Sequence, residues 1–219
     1  MNETTSLLAT VEDLRRAERG LSRRDPVLRA VIREVGPTTV DQYWRRDAFA
    51  ALLQTIVSQQ ISIHAAAAIH GRFKALYGGR APSARRLLAT SDGDLRAAGL
   101  SRAKVTYMHD LAERVVSRRL VVSRLGSMSD QDAIAALTAV KGIGIWTAEV
   151  FLIFRLGRLD VIPADDLGLL EGVRQLYELA ERPTPDELRV FAERWRPYRS
   201  VASWFVWQGR RLAMGTKPR

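Results

Sequence analysis

Two short segments carry residues whose types and order can do chemistry. The first is LTAVKGIGIWTAEVF, Leu137 to Phe151. An apolar helix end runs into Gly142-Ile143-Gly144, and an apolar helix start follows. Glycines on either side of Ile143 allow positive φ and a very tight reversal, with Ile143 plugging the gap between the helices. The first N–H groups of the next helix lack intrahelical partners and suit an anion such as a phosphate. Lys141 adds a cation beside them. A plain helix turn with a glycine cap is the alternative reading. The second segment is DVIPADDLGLLEGV, Asp160 to Val173. DVIP is extended, because the residue before Pro163 disfavours helix. Asp165 and Asp166 then precede an apolar face of Leu167, Leu170 and Val173. Such a pair either caps the helix, favoured by its dipole, or supplies a working carboxylate.

The elements that must position these segments read as helices. Asp25-Pro26 opens one that Gly36-Pro37 stops. Phe49, Leu52, Leu53, Ile56 and Val57 follow helical spacing from Asp47. The polar break SQQIS, Ser58 to Ser62, separates that helix from another over roughly Ile63 to Tyr77, ended by Gly78-Gly79. Pro82-Ser83, Ser91-Asp92, Ser101, Ser129-Asp130 and Thr184-Pro185 open further helices. The last runs from Tyr198 to Met214, with a tail from Thr216 expected to fray. LVVSRL, Leu120 to Leu125, is the one weak strand signal.

The composition narrows the function classes. The chain has 219 residues, 47% of them hydrophobic, which is ordinary for a globular protein with a real core. Lys plus Arg total 34 against 24 Asp plus Glu, a net charge of +10, so a polyanion is the first partner to consider. Cysteine is absent, which excludes disulfides, thiolate metal sites, iron–sulfur clusters and a cysteine nucleophile. No signal peptide or bilayer-spanning apolar run is expected, and a cytoplasmic location fits. The three histidines, His64, His70 and His109, show no ligand constellation.

GIGIWTAE followed by DVIPADDLGLLEG resembles the helix-hairpin-helix–Gly/Pro–Asp superfamily of base-excision DNA glycosylases. Within it, the chain is most similar to DNA-3-methyladenine glycosylase II and its short bacterial relatives. The resemblance spans roughly Asp47 to Trp207. LLQTIVSQQISIHAAAAI is similar to the family's wedge-bearing helix pair. GLSRAKVTYMHDLA, Gly99 to Ala112, and AERWRPYRSVASWFVW, Ala192 to Trp207, match two more of its blocks. With few residues before Phe49, the N-terminal β-sheet domain of the larger enzymes is not expected.

The resemblance implies an all-α, two-lobed fold with a DNA-binding cleft between lobes. One lobe would span residues 46–165, and the other would join 1–45 to 166–219. It implies that Asp166 is the catalytic acid, with Asp165 a secondary polar group or helix cap. Trp146 and Trp207 match the base pocket, while Trp204 and Tyr198 have less warrant and Trp204 reads as core. Gln59, Gln60, Ile61, Lys141, Gly142, Ile143, Gly144 and Thr147 would contact DNA, with Gln60 or Ile61 as the wedge. A monovalent or alkaline-earth cation could sit on the main-chain carbonyls of Thr138, Val140 and Ile143, and no cofactor is expected to be required. Trp146 stands where bifunctional relatives carry a nucleophilic Lys, so the implied activity is monofunctional. The expected substrate is duplex DNA with alkylated purines, the enzyme acting as a monomer. Ethenoadenine, hypoxanthine or uracil as lesion, a non-catalytic DNA-binding module and a structural helical protein remain open alternatives.

Overall fold

A computed structural model describes residues 9–44 and 47–215. The frayed tail expected from Thr216, and the first eight positions, lie outside the described residues. Those described form twelve α-helices. In chain order these are α1 Val11–Arg24, α2 Pro26–Val35, α3 Ala48–Ser58, α4 Ile63–Ala75, α5 Ala84–Leu88 and α6 Asp92–Ala97. They continue with α7 Arg102–Val116, α8 Asp130–Thr138, α9 Ile145–Leu156, α10 Leu167–Leu176, α11 Pro185–Phe191 and α12 Arg199–Ala213. Most starts are capped as their sequences dictate. Ser62, Ser83, Ser91, Ser101 and Ser129 each accept a backbone N–H from the first turn. Thr10 with Asp13, and Thr184 with Glu187, form reciprocal capping boxes.

The chain divides into two compact units, one ending at Trp44 and resuming at Glu149, the other running between them to Ala148. The second division falls inside α9, upstream of the expected position 165. Trp44 explains why: its indole N–H donates to the Ile153 carbonyl at 3.3 Å. Tyr43 meets Phe154 edge-on at 5.7 Å. These contacts bind the later part of α9 to the N-terminal segment.

In the terminal unit, α12 packs on α10, α2 and α1. Gly172 permits the α10–α12 contact, since a Cβ there would lie 2.7 Å from Val206 Cγ1. Leu14, Leu21, Leu28, Leu169, Val173 and Phe205 are buried around it. Asp25 is a buried carboxylate with every need met. Its Oδ1 accepts the Val27 and Leu28 N–H groups that open α2. Its Oδ2 accepts from Tyr177 OH at 2.6 Å and Trp195 Nε1 at 3.1 Å. Burial and that anion push the Tyr177 phenol upward from its ordinary pKa.

In the internal unit, α7 packs on α3, α5 and α6, and α3 on α4. Leu52, Leu53, Ile56, Phe73, Leu87, Leu95, Met108 and Leu111 form its core. The weak strand signal at LVVSRL gives way to a 3-10 turn, Val122–Ser127. The segment satisfies its backbone locally, Arg124 N–H donating to Val121 O at 2.9 Å, while Leu120 and Leu125 are buried. β-Branched residues favour a strand only where a neighbouring strand can pair.

Candidate functional site

The hairpin follows α8. The Ile143 N–H donates to Val140 O at 3.1 Å, closing the turn. Gly142 takes φ +78°, and a Cβ there would lie 2.2 Å from the Tyr107 ring. Glycine is therefore required twice over, for the backbone and for the close approach. Gly144 differs from the expectation. It does not adopt positive φ, and a Cβ on it would meet nothing within 4 Å. Its contribution is open space at the start of α9, not the reversal. Ile143 is buried as the plug, Lys141 is exposed, and Ile145 and Trp146 are 57% and 41% exposed. Thr147 is only 6% exposed.

The loop after α3 sits against this hairpin within the same unit. Gln59 Nε2 donates to Gly142 O at 2.7 Å. Gln59 was expected among the DNA contacts; its amide is committed to the hairpin. Lys104 Nζ donates to Val57 O and Gln59 O at 2.7 and 2.8 Å. Gln60 takes a left-handed φ of 56°, and both Gln60 and Ile61 are exposed.

The acid lies in the terminal unit, on a segment stitched from behind by α12. Ser200 Oγ accepts the Val161 N–H at 2.9 Å and donates to Val161 O at 3.1 Å. Arg199 Nε and Nη2 donate to Asp160 Oδ1 and Asp160 O at 2.9 and 2.7 Å. The Arg-Ser of the C-terminal block thus fixes the extended DVIP strip. Asp166 then caps α10, its Oδ1 accepting Leu169 N–H at 2.6 Å. The same oxygen accepts Trp207 Nε1–H at 2.9 Å. Trp207 stacks on Phe154, ring centroids 5.7 Å apart and planes 25° apart. Asp165, expected as a cap, is exposed and pairs with Arg189 at 3.1 Å. Glu149 is buried: burial first, then the Asp165 charge, push its pKa up to about 7, with Arg189 opposing. Its Oε2 has no hydrogen-bond partner among the described residues.

Beside this tight hairpin, the capping carboxylate tied to an indole, and the basic charge stands a match to a known family model. That model, HhH-GPD superfamily base excision DNA repair protein, matches residues 53–197. The chain belongs to the HhH-GPD superfamily. It is 33% identical to DNA-3-methyladenine glycosylase 1 of Schizosaccharomyces pombe, covering 95% of this chain and 92% of that one. Its fold superposes on a DNA-3-methyladenine glycosidase from Bacillus halodurans with a TM-score of 0.81 at 36% identity, covering 92% of each. A TM-score of 0.75 at 32% identity relates it to an S. pombe 3-methyladenine DNA glycosylase in complex with abasic DNA, covering 88% of this chain and 95% of that one. This HhH-GPD protein is a base-excision DNA glycosylase. Among the described residues, no helix is long and apolar enough to cross a membrane.

The HhH-GPD site brings two sets of expected residues together, each within its own unit: Asp166 with Trp207, and Gln59 with Gly142. Trp204 is 3% exposed and belongs to the core. Tyr198 leans on Gly20 of α1, where a Cβ would lie 3.0 Å from its ring, so it serves packing. The sequence did not single out Phe154 or the buried Glu149, because an aromatic or an acid on an apolar helix has no distinctive spacing. Nor did it assign roles to Lys104, Tyr107 and Asp110, although they stand in a matched block. Among the described residues, no His, Asp and Glu cluster could hold a metal. The main-chain oxygens of Thr138, Val140 and Ile143 need no such cluster. Val140 O accepts one N–H and keeps a second lone pair, which suits carbonyl ligation.

Proposed function

We propose that this protein is a monofunctional, glycosylase II-like enzyme that flips alkylated purines out of duplex DNA and hydrolyses their N-glycosidic bonds. The hydrogen bond from Trp207 Nε1 to Asp166 Oδ1, 2.9 Å, carries this reading. It sets an electron-rich indole beside a carboxylate. Alkylation of the 3-methyladenine or 7-methylguanine type makes the base cationic, and an aromatic face holds a cation by its quadrupole. Trp146 presents a second, exposed ring. As the bond from C1′ to nitrogen breaks, the electron pair leaves with the base, which becomes neutral. Positive charge builds on the sugar, and the Asp166 carboxylate stabilises it. Water then bonds to C1′ and loses a proton, leaving an abasic site. The cationic leaving group needs no strong general acid.

The target atom is stacked inside a duplex, so the nucleotide must leave the helix, with Gln60 or Ile61 filling the gap. The start of α9 beyond Gly144 would hold a phosphate, with Lys141 beside it. A cation on the Thr138, Val140 and Ile143 carbonyls would add positive charge at that phosphate. Trp146 occupies the position just after the hairpin, so no amine stands there to form a Schiff base. The agreement with relatives that are 3-methyladenine glycosylases over nearly the whole chain supports the substrate class.

The experiment is release of free bases from methylated duplex DNA, resolved by chromatography. Release of 3-methyladenine and 7-methylguanine is expected, with no borohydride-trapped protein–DNA adduct. Release only of hypoxanthine, ethenoadenine or uracil would assign a different lesion. A trapped adduct would overturn the monofunctional assignment.

A further inference from the structure

One side of α7 carries Lys104, Tyr107 and Asp110, and each touches an element that the proposed function assigns to DNA. Lys104 Nζ donates to Val57 O and Gln59 O, the carbonyls at the C-terminal end of α3. Tyr107 lies under Gly142, so close that only glycine fits above its ring. Asp110 Oδ2 accepts the Lys141 N–H at 2.9 Å and the Arg114 Nε–H at 2.8 Å. The hairpin backbone and the loop after α3 are thus seated on one helix, all inside one compact unit. Gln59 joins them. Its backbone carbonyl is held by Lys104 and its side-chain amide by Gly142 O, so the residue before Gln60 is pinned at both ends.

The next residue shows why the pinning matters. Gln60 takes φ 56°, a conformation that costs a non-glycine residue free energy and persists only where neighbours enforce it. We propose that Lys104 is a positioning residue that sets the Gln60–Ile61 wedge in register with the phosphate-gripping hairpin, so that base eversion is coupled to backbone grip. The ammonium is a good clamp for this task. It has several donors, it offsets the negative end of the α3 dipole, and it reaches two carbonyls, those of Val57 and Gln59, at once. Burial pulls the Lys104 pKa down from its ordinary value, the cost of desolvating a charge aimed at carbonyls. A methionine of similar length would fill the space and release both carbonyls. The loop could then relax Gln60 out of its left-handed conformation. The hairpin, still seated on Tyr107 and Asp110, would keep its grip.

This proposal rests on the reading of Gln60–Ile61 as the wedge, and the test separates the two. Lys104→Met, Lys104→Arg and the double variant Gln60→Ala/Ile61→Ala are compared with the parent protein. Four quantities are measured: melting temperature, affinity for undamaged duplex, eversion reported by a fluorescent adenine analogue beside an abasic-site analogue, and single-turnover excision from methylated DNA. In Lys104→Met, eversion and excision should fall about tenfold or more, as misplacement of a reacting group does. Its affinity for undamaged duplex should stay within about twofold, because phosphate contacts supply that term. Lys104→Arg, which can still donate to two carbonyls, should recover most of the loss. Full eversion and excision in Lys104→Met, with both lost in the double variant, would make Lys104 a mere helix-end cap and overturn the proposal. Parallel loss of duplex affinity, excision and melting temperature, not rescued by arginine, would also overturn it. Full eversion in the double variant would remove the wedge reading and the proposal with it.

Discussion

At the scale of the residue, Asp166 does two things at once, and chemistry can separate them. Its Oδ1 accepts both the Leu169 N–H and the Trp207 indole N–H. Both bonds survive replacement by asparagine, whose amide oxygen occupies the same place. Asp166→Asn therefore removes charge while keeping cap and indole tie, and its folding stability should stay within about 1 kcal/mol of the parent by thermal denaturation. Asp165 is the natural comparison, being exposed and engaged with Arg189. Glu149 supplies a second residue-scale prediction. Its folded-state pKa is raised from 4.5 to about 7, mainly by burial and then by Asp165. A raised carboxyl pKa means that the folded state binds the proton more tightly than the unfolded state does. The stability this group contributes is thus fully present below pH 4.5 and lost as pH rises through about 7. Glu149→Gln should flatten that loss and be more stable than the parent at pH 8 by about 1–3 kcal/mol, since it removes a buried, unpaired charge. Denaturant titrations at several pH values check the sign, and an unchanged slope across this window would contradict the assignment.

At the scale of the element, the hairpin's two glycines separate into two roles that the GxG pattern alone could not distinguish. Gly142 combines positive φ with a ring against its Cα; Gly144 has neither. Gly142→Ala should lower stability by about 2 kcal/mol or more in chemical denaturation. Gly144→Val should leave folding nearly intact and, if the proposed phosphate grip is right, weaken duplex binding, because its side chain would stand in the open space at the start of α9. Equal melting temperatures for the two variants would contradict this division. Helix starts were legible because Ser, Thr and Asp caps are local signals, as at Ser101, Ser129 and Thr184. α1 was not placed from its sequence, although Thr10 and Asp13 form a capping box there. The weak strand signal at Leu120 to Leu125 came to nothing, because β-branched composition speaks for a strand only if a partner strand exists, and Val122–Ser127 forms a 3-10 turn. Asp25 opened α2 as expected, yet its bonds to Tyr177 and Trp195 join positions far apart in the chain, and no spacing rule reports them.

At the scale of the whole molecule, the net charge of +10 gives a sequence-independent attraction to duplex DNA. Affinity for undamaged duplex should fall steeply with salt, roughly tenfold or more between 50 and 200 mM if several phosphates are neutralised. A binding constant insensitive to salt would show that the basic surface is not the interface. The family was legible because ordered blocks along the chain, GIGIWTAE, DVIPADDLGLLEG and the Arg199-Ser200 block, each have a structural task. Arg199 and Ser200 hold the strip that carries Asp166 in place, a contact between segments that the sequence ordered without saying why. The unit boundary was less legible. α9 is one uninterrupted helix, yet its later residues are claimed by Trp44 and Tyr43, and that depends on tertiary packing alone.

The account turns on the Asp166 carboxylate, and single-turnover base release from methylated duplex DNA by Asp166→Asn tests it most directly. With the cap and the Trp207 hydrogen bond preserved, excision should fall roughly a hundred- to a thousandfold, the usual cost of losing one electrostatic stabiliser. Binding of the lesion duplex should hold or tighten, because a carboxylate near phosphates is repulsive before the reaction begins. Asp165→Asn, measured alongside, should lose far less. Full excision by Asp166→Asn, or equal losses in the two variants, would contradict the assignment of Asp166 as the group that stabilises the sugar cation.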